Sequence, residues 1–136
     1  FLSGNDGIFN MHYYDLLIGM DITVFASYYE PWGYTPMESV AFSIPTVTTS
    51  LSGFGQWVVS NQPANIENGV AVIPRSDFNY NEVVWSLSEI ITNYSKKTVE
   101  EITEIRKAAA EIAKKGLWKN FITYYEKAYD IALSKK

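Results

Sequence analysis

Three short runs of β-branched and apolar residues, Asp21–Ala26 (DITVFA), Ile44–Thr49 (IPTVTT) and Gly69–Ile73 (GVAVI), alternate with helical segments, and this most restricts the fold. Strands alternating with helices form parallel sheets. The expected class is therefore α/β, a partial Rossmann-like parallel sheet with helices at the carboxyl end. A doubly wound sheet has about five or six strands. The shortfall predicts that earlier strands lie outside this sequence and that residues 1–136 are the second half of such a domain. The amino end, Phe1-Leu2-Ser3-Gly4-Asn5, has no basic segment and no initiator Met, so it reads as cut from a longer protein and not as a signal peptide.

Local signals fill in the elements. Tyr13, Leu16, Leu17 and Met20 give helical spacing across Met11–Met20. Ser27 to Gly33 is a loop, because Pro31 cannot donate to a ladder and holds Glu30 extended. A helix is expected from Thr35 as N-cap, with Pro36 first and Glu38 three residues after the cap, to about Ser43. Leu51 to Gly55 turns into a short helix ending near Ser60, and Asn61 to Asn68 is polar loop. Beyond Pro74 the chain is helical, with apolar stripes Val83–Tyr94, Ile102–Ile112 and Trp118–Ala132. Gly116 is expected at the C′ position of the second of these helices.

Charge divides the chain into residues 1–74 and 75–136. The first part has no Lys or Arg and six acidic residues; the second has all 11 basic and nine acidic residues, so −6 and +2 sum to −4. A nucleic-acid surface needs clustered cations, so nucleic acid is not an expected partner. Cysteine is absent, which excludes disulfides and thiolate chemistry. No apolar run approaches the roughly 18 residues of a membrane span.

The loop between the first strand and the Thr35 helix is the richest in chemistry: Tyr28-Tyr29-Glu30-Pro31-Trp32-Gly33-Tyr34-Thr35-Pro36-Met37-Glu38. Ligands of open α/β sheets sit beyond the carboxyl ends of the strands. A helix amino terminus there offers free N–H groups and about half a positive charge, suited to phosphate. Gly33 permits close backbone approach. Glu30 and Glu38 bracket the helix start and can each accept hydrogen bonds from sugar hydroxyls.

The string YYEPWGYTPMES, followed by IPTVTTSLSGFG, resembles the signature region of the animal and fungal type of glycogen synthase. The similarity runs from Phe1-Leu2 to the Trp118, Tyr124, Tyr125, Ala128 and Ala132-Leu133-Ser134-Lys135 ending. That family comprises retaining glycosyltransferases of the two-domain GT-B architecture. The resemblance implies transfer of glucose from UDP-glucose or ADP-glucose to the 4-hydroxyl of a glucan, without metal or cofactor, in the cytoplasm. It casts Glu30 as catalytic, beside the transferred glucose. Tyr13 would stack on the nucleobase, with Phe1 and Leu2 near it. Trp32, Gly33, Tyr34 and Thr35 would contact donor sugar and diphosphate, and Glu38 the nucleotide side. It further implies that the cationic side chains at the diphosphate, the glucan acceptor site and the amino-terminal GT-B domain lie upstream, so that this chain alone is inactive. A homo-oligomer remains open. The arginine-rich helix that senses glucose 6-phosphate in the family is reduced, within Glu100–Lys115, to Arg106, which implies absent or altered control.

Each residue also has a plainer reading. Glu38 suits a capping box, Glu30 an ordinary rim carboxylate, Tyr13 a core stripe, His12 a surface or cap position, and the closing aromatics packing. The alternatives for the whole are another retaining GT-B enzyme, making sucrose or a surface glycan, and a non-catalytic α/β binding module.

Overall fold

A computed structural model describes residues 4–135. The elements run α1 (Tyr13–Leu17), β1 (Thr23–Val24), α2 (Tyr34–Ala41), β2 (Thr46–Thr49), α3 (Gly53–Asn61), a 3₁₀ turn (Ile66–Asn68), β3 (Val70–Ile73), α4 (Tyr80–Tyr94), α5 (Val99–Lys115) and α6 (Trp118–Ser134). The sheet has order β1-β2-β3 and is parallel throughout, with Thr46 opposite both Thr23 and Val70. The expected α/β class with a partial parallel sheet is what the chain forms.

Successive strand residues face opposite sides of a sheet, and β3 shows why both sides must be covered. Ala71 and Ile73 join Val47, Ile66, Val83, Tyr94 and Ile105 in one apolar cluster. Val70 and the half-buried Val72 join Val40, Phe54, Val58, Ala109 and Ile112 in another. Helices from both charge regions supply each cluster, so residues 1–74 and 75–136 share one core. The fully buried β2 threonines are satisfied by hydroxyl bonds: Thr46 donates to Ile44 O at 3.0 Å, and Thr49 donates to Ser27 O at 2.6 Å. The second bond ties the end of β2 to the chain leaving β1.

Several boundaries differ from the sequence reading. The Met11–Met20 helix contracts to Tyr13–Leu17, because His12 is extended and the chain ends in i→i−3 bonds from Gly19 to Leu16 and Met20 to Leu17. Strand Asp21–Ala26 contracts to two residues. Phe25 N–H still reaches Val47 O, but Ser27 N–H turns back onto Phe25 O and ends the extension. Helix α2 starts at Tyr34 with Gly33 as N-cap, so Thr35 is not the cap and Glu38 forms no capping box. Gly33 sits at φ 107°, which lets the chain enter the helix two residues sooner. Thr98 and Glu101 do form a reciprocal box, opening α5. Gly116 is not left-handed (φ −80°); it is small because Met37 packs where a side chain would stand.

Helix α6 departs most. It buries no residue; Trp118, Tyr124, Tyr125 and Tyr129 are all at least half exposed. Phe121 is half-buried, its ring 5.4 Å from that of Trp32. Among the described residues no helix is long and apolar enough to cross a membrane.

Candidate functional site

The site is built where β1 and β2 end. The chain leaving β1 passes through Tyr28 and Tyr29 and re-pairs beyond β2, where Glu30 bridges to Ser52 in parallel. Glu30 N–H donates to Leu51 O at 3.1 Å, Gly53 N–H to Glu30 O at 3.0 Å, and Phe54 N–H to Trp32 O at 2.6 Å. Glu30 to Trp32 is thus fixed by backbone bonds to the start of α3, whose Ser52 caps it by accepting from Gly55 N–H. Pro31, lacking an N–H, loses nothing between these bonds.

This pairing places the Glu30 side chain against the start of α2. A Cβ added to Gly33 would stand 3.5 Å from Glu30 Cγ and 3.0 Å from Pro36 Cγ. At Tyr34 and Thr35 the amides have no carbonyl one turn back inside the helix to receive them; Pro36 has no N–H, and Met37 N–H closes the first turn on Gly33 O. A carboxylate and free amides therefore flank one glycine at the carboxyl end of a parallel sheet. Tyr34 is 75% exposed and Thr35 is exposed, so their backbone, more than their side chains, is what the fold holds in place.

Trp32 turns the other way. Its ring packs among Phe54, Trp57 and Phe121 at centroid distances of 5.4–6.1 Å. A hollow of about 490 Å³ lies on that side, lined by Trp32, Tyr34, Met37, Gly116 and α6 aromatics, not by Glu30.

Glu38, one helix face away, accepts a hydrogen bond from the Tyr14 hydroxyl at 3.1 Å. That bond, then the carboxylate's charge, raises the Tyr14 phenol above the ordinary tyrosine range. Tyr13 lies beside Tyr14, ring centroids 5.2 Å apart, and its phenol is raised by burial and then by Glu38. The helix carrying the expected nucleobase contact is thus tied to the second glutamate, through Tyr14. Phe1 and Leu2 lie outside the described residues.

Sequence reasoning missed Tyr14, Gly53 and Arg75. Tyr14 sits beside a tyrosine already singled out and was eclipsed by it. Gly53 faces Pro31 O so closely that no Cβ fits between them, a contact across 22 residues that no local signal announces. Arg75 is the first Lys or Arg of the chain and follows β3 after Pro74; the rule that parallel sheets work at their carboxyl ends could have found it.

The whole chain, residues 1–136, matches the family model described as Glycogen synthase. It is similar to the glycogen (starch) synthase of Neurospora crassa, 30% identical over 135 residues. It is 32% identical over 139 residues to isoform 2 of Saccharomyces cerevisiae, and 30% identical over 135 residues to the liver enzyme of Mus musculus. Each match covers 99% of this chain and 19% of the relative. The chain thus spans about a fifth of these proteins' length, and within that span it belongs to the glycogen synthase family.

Proposed function

We propose that this chain is the carboxyl-terminal part of the donor-binding domain of a GT-B glycogen synthase. The intact protein transfers glucose from a nucleoside diphosphate to the 4-hydroxyl of an α-1,4-glucan, with retention. The observation that carries this reading is the Glu30 side chain lying against Gly33, beside the free amides that open α2.

In this arrangement Glu30 faces the transferred glucose. Its carboxylate stabilises the positive charge that develops at the anomeric carbon as the bond to the diphosphate oxygen breaks and the bond to the glucan 4-oxygen, whose proton is released, forms. The Tyr34 and Thr35 amides, with the Gly33 backbone, receive the departing diphosphate. A helix terminus contributes only about 0.3–2 kcal/mol to holding an anion, so cationic side chains from upstream of this sequence complete the diphosphate site, and the acceptor cleft comes from an amino-terminal domain. Glu38, held by Tyr14, faces the nucleotide side, and Tyr13 offers a ring to the base. Trp32 contributes through its backbone, since its ring is engaged in packing. The exposed aromatic face of α6 favours further protein around it. The reaction on this reading needs no metal or cofactor and takes place in the cytoplasm. Arg106 donates to Met20 O at 2.8 Å and lies 3.7 Å from Asp21; this structural task favours loss of hexose-phosphate control through that helix.

The test is glucosyl transfer to glycogen by the full-length protein, with UDP-glucose and ADP-glucose compared. Transfer from one donor with an α-1,4 product is expected, and none by residues 1–136 alone. Failure with both donors would point to another glycosyltransferase or to a binding module.

A further inference from the structure

Arg75 is the one basic side chain that the described fold buries, at 9% exposure. Burying a cation is costly unless it is compensated, and among the described residues no carboxylate pairs with it. What surrounds it is the carboxyl rim of the sheet. Its own backbone follows β3, and its N–H donates to Ser50 Oγ at 2.9 Å, just beyond β2. Its Nη1 donates to Ala26 O at 3.4 Å, beyond β1. Its guanidinium carbon lies 3.6 Å from the centroid of the Tyr28 ring, a cation–π stack. One residue thus links the ends of all three strands, its backbone at β3 and beyond β2, its side chain beyond β1 and on the loop that leads, two residues after Tyr28, to Glu30.

We infer that Arg75 is a positioning residue: stacked on Tyr28 and bonded to Ala26, it holds the loop that presents Glu30 to the donor sugar. The inference rests on the role proposed for Glu30 and adds a device for holding it. Backbone bonds fix Glu30 from its carboxyl side, through Leu51 and Gly53. On the amino side Tyr28 is 52% and Tyr29 80% exposed, too little buried for packing alone to hold them. Thr49 anchors the chain one residue earlier, at Ser27 O; at Tyr28 itself the restraint on the side chain is the Arg75 stack. A lysine could not replace it, because its compact ammonium offers no plane to lie on the ring and no fork to reach Ala26 together with it. Arg75 reaches Glu30 only through the segment from Ala26 to Tyr28, so it should govern the rate of the bound complex more than the affinity for donor. A misplacement of about 1 Å at a reacting group can cost roughly 100-fold.

The experiment uses the full-length protein, with kcat and KM for the nucleotide-sugar donor and thermal unfolding measured on each variant. Arg75→Met, Arg75→Lys and Tyr28→Leu are each expected to lower kcat about 10- to 100-fold, with donor KM within about threefold. Tyr28→Phe, which keeps the ring, is expected to stay within about threefold of wild type in kcat. Because both residues act through one stack, Arg75→Met with Tyr28→Leu should be no worse than either alone. Wild-type kcat in folded Arg75→Met, or effects of the two substitutions that multiply, would overturn the inference. If Arg75→Met does not fold, the contrast between Tyr28→Leu and Tyr28→Phe decides it, and equal kcat for these two overturns it. Glu30→Gln serves as reference. Transfer retained in that variant defeats the reading of the site itself, whereas transfer lost there but intact in the Arg75 and Tyr28 variants defeats only the positioning role.

Discussion

Gly69→Ala is expected to lower stability by about 2–5 kcal/mol, a large part of the roughly 5–15 kcal/mol that holds a domain folded. Gly69 closes the 3₁₀ turn before β3 at φ 89°, where an L side chain carries about 1–2 kcal/mol of strain. The added Cβ would also press on the backbone of α5 at Ala108 and Ala109. Overpacking of this kind costs about 1–3 kcal/mol. Since the obstruction is backbone, trimming a neighbouring side chain gives no relief, and Ala109→Gly should not rescue the variant. Denaturant unfolding of both proteins checks this. A loss below 1 kcal/mol would show that α5 does not sit on the turn as described.

Gly53→Ala is expected to strike the site and spare most of the fold. Its Cβ would meet the carbonyl oxygen of Pro31, with Pro31 C at 3.1 Å and Trp32 Cα at 3.2 Å. The loop must retreat from the start of α3, taking Glu30 with it. In the full-length protein kcat for glucosyl transfer should fall about 10- to 100-fold, while unfolding free energy falls by no more than about 1–3 kcal/mol. Steady-state kinetics alongside denaturation separate the two effects. Unchanged kcat would mean that the Glu30 loop is indifferent to its seat on α3.

The contrast between these two glycines shows what a sequence can disclose. The alternation of β-branched runs with helical stretches identified the parallel sheet, because strand and helix periods are local properties. The Glu30 loop was legible because Pro31, Gly33 and the following helix start are all short-range signals. Helix α2 begins two residues early because a left-handed Gly33, not the Thr35 hydroxyl, ends the preceding chain; both readings fit the same letters. The Glu38–Tyr14 bond, the Gly53–Pro31 contact and the reach of Arg75 to Ala26 span 24, 22 and 49 residues, and only tertiary folding brings such groups together. Helix α6 is the converse case. Its apolar stripe is real, yet within this chain little packs against it.

On the proposed reading, an acidic side chain, set beside a glycine and two free amides at a sheet's carboxyl edge, stabilises a sugar as it leaves its nucleotide. The direct test is kcat for glucosyl transfer to glycogen by the full-length protein and its Glu30→Gln variant, with donor KM and unfolding temperature recorded for both. The account predicts a drop of roughly 10²–10³-fold in kcat, the scale of losing one group aimed at developing charge, with an unaltered unfolding temperature. A folded Glu30→Gln protein that transfers glucose at the wild-type rate would contradict it.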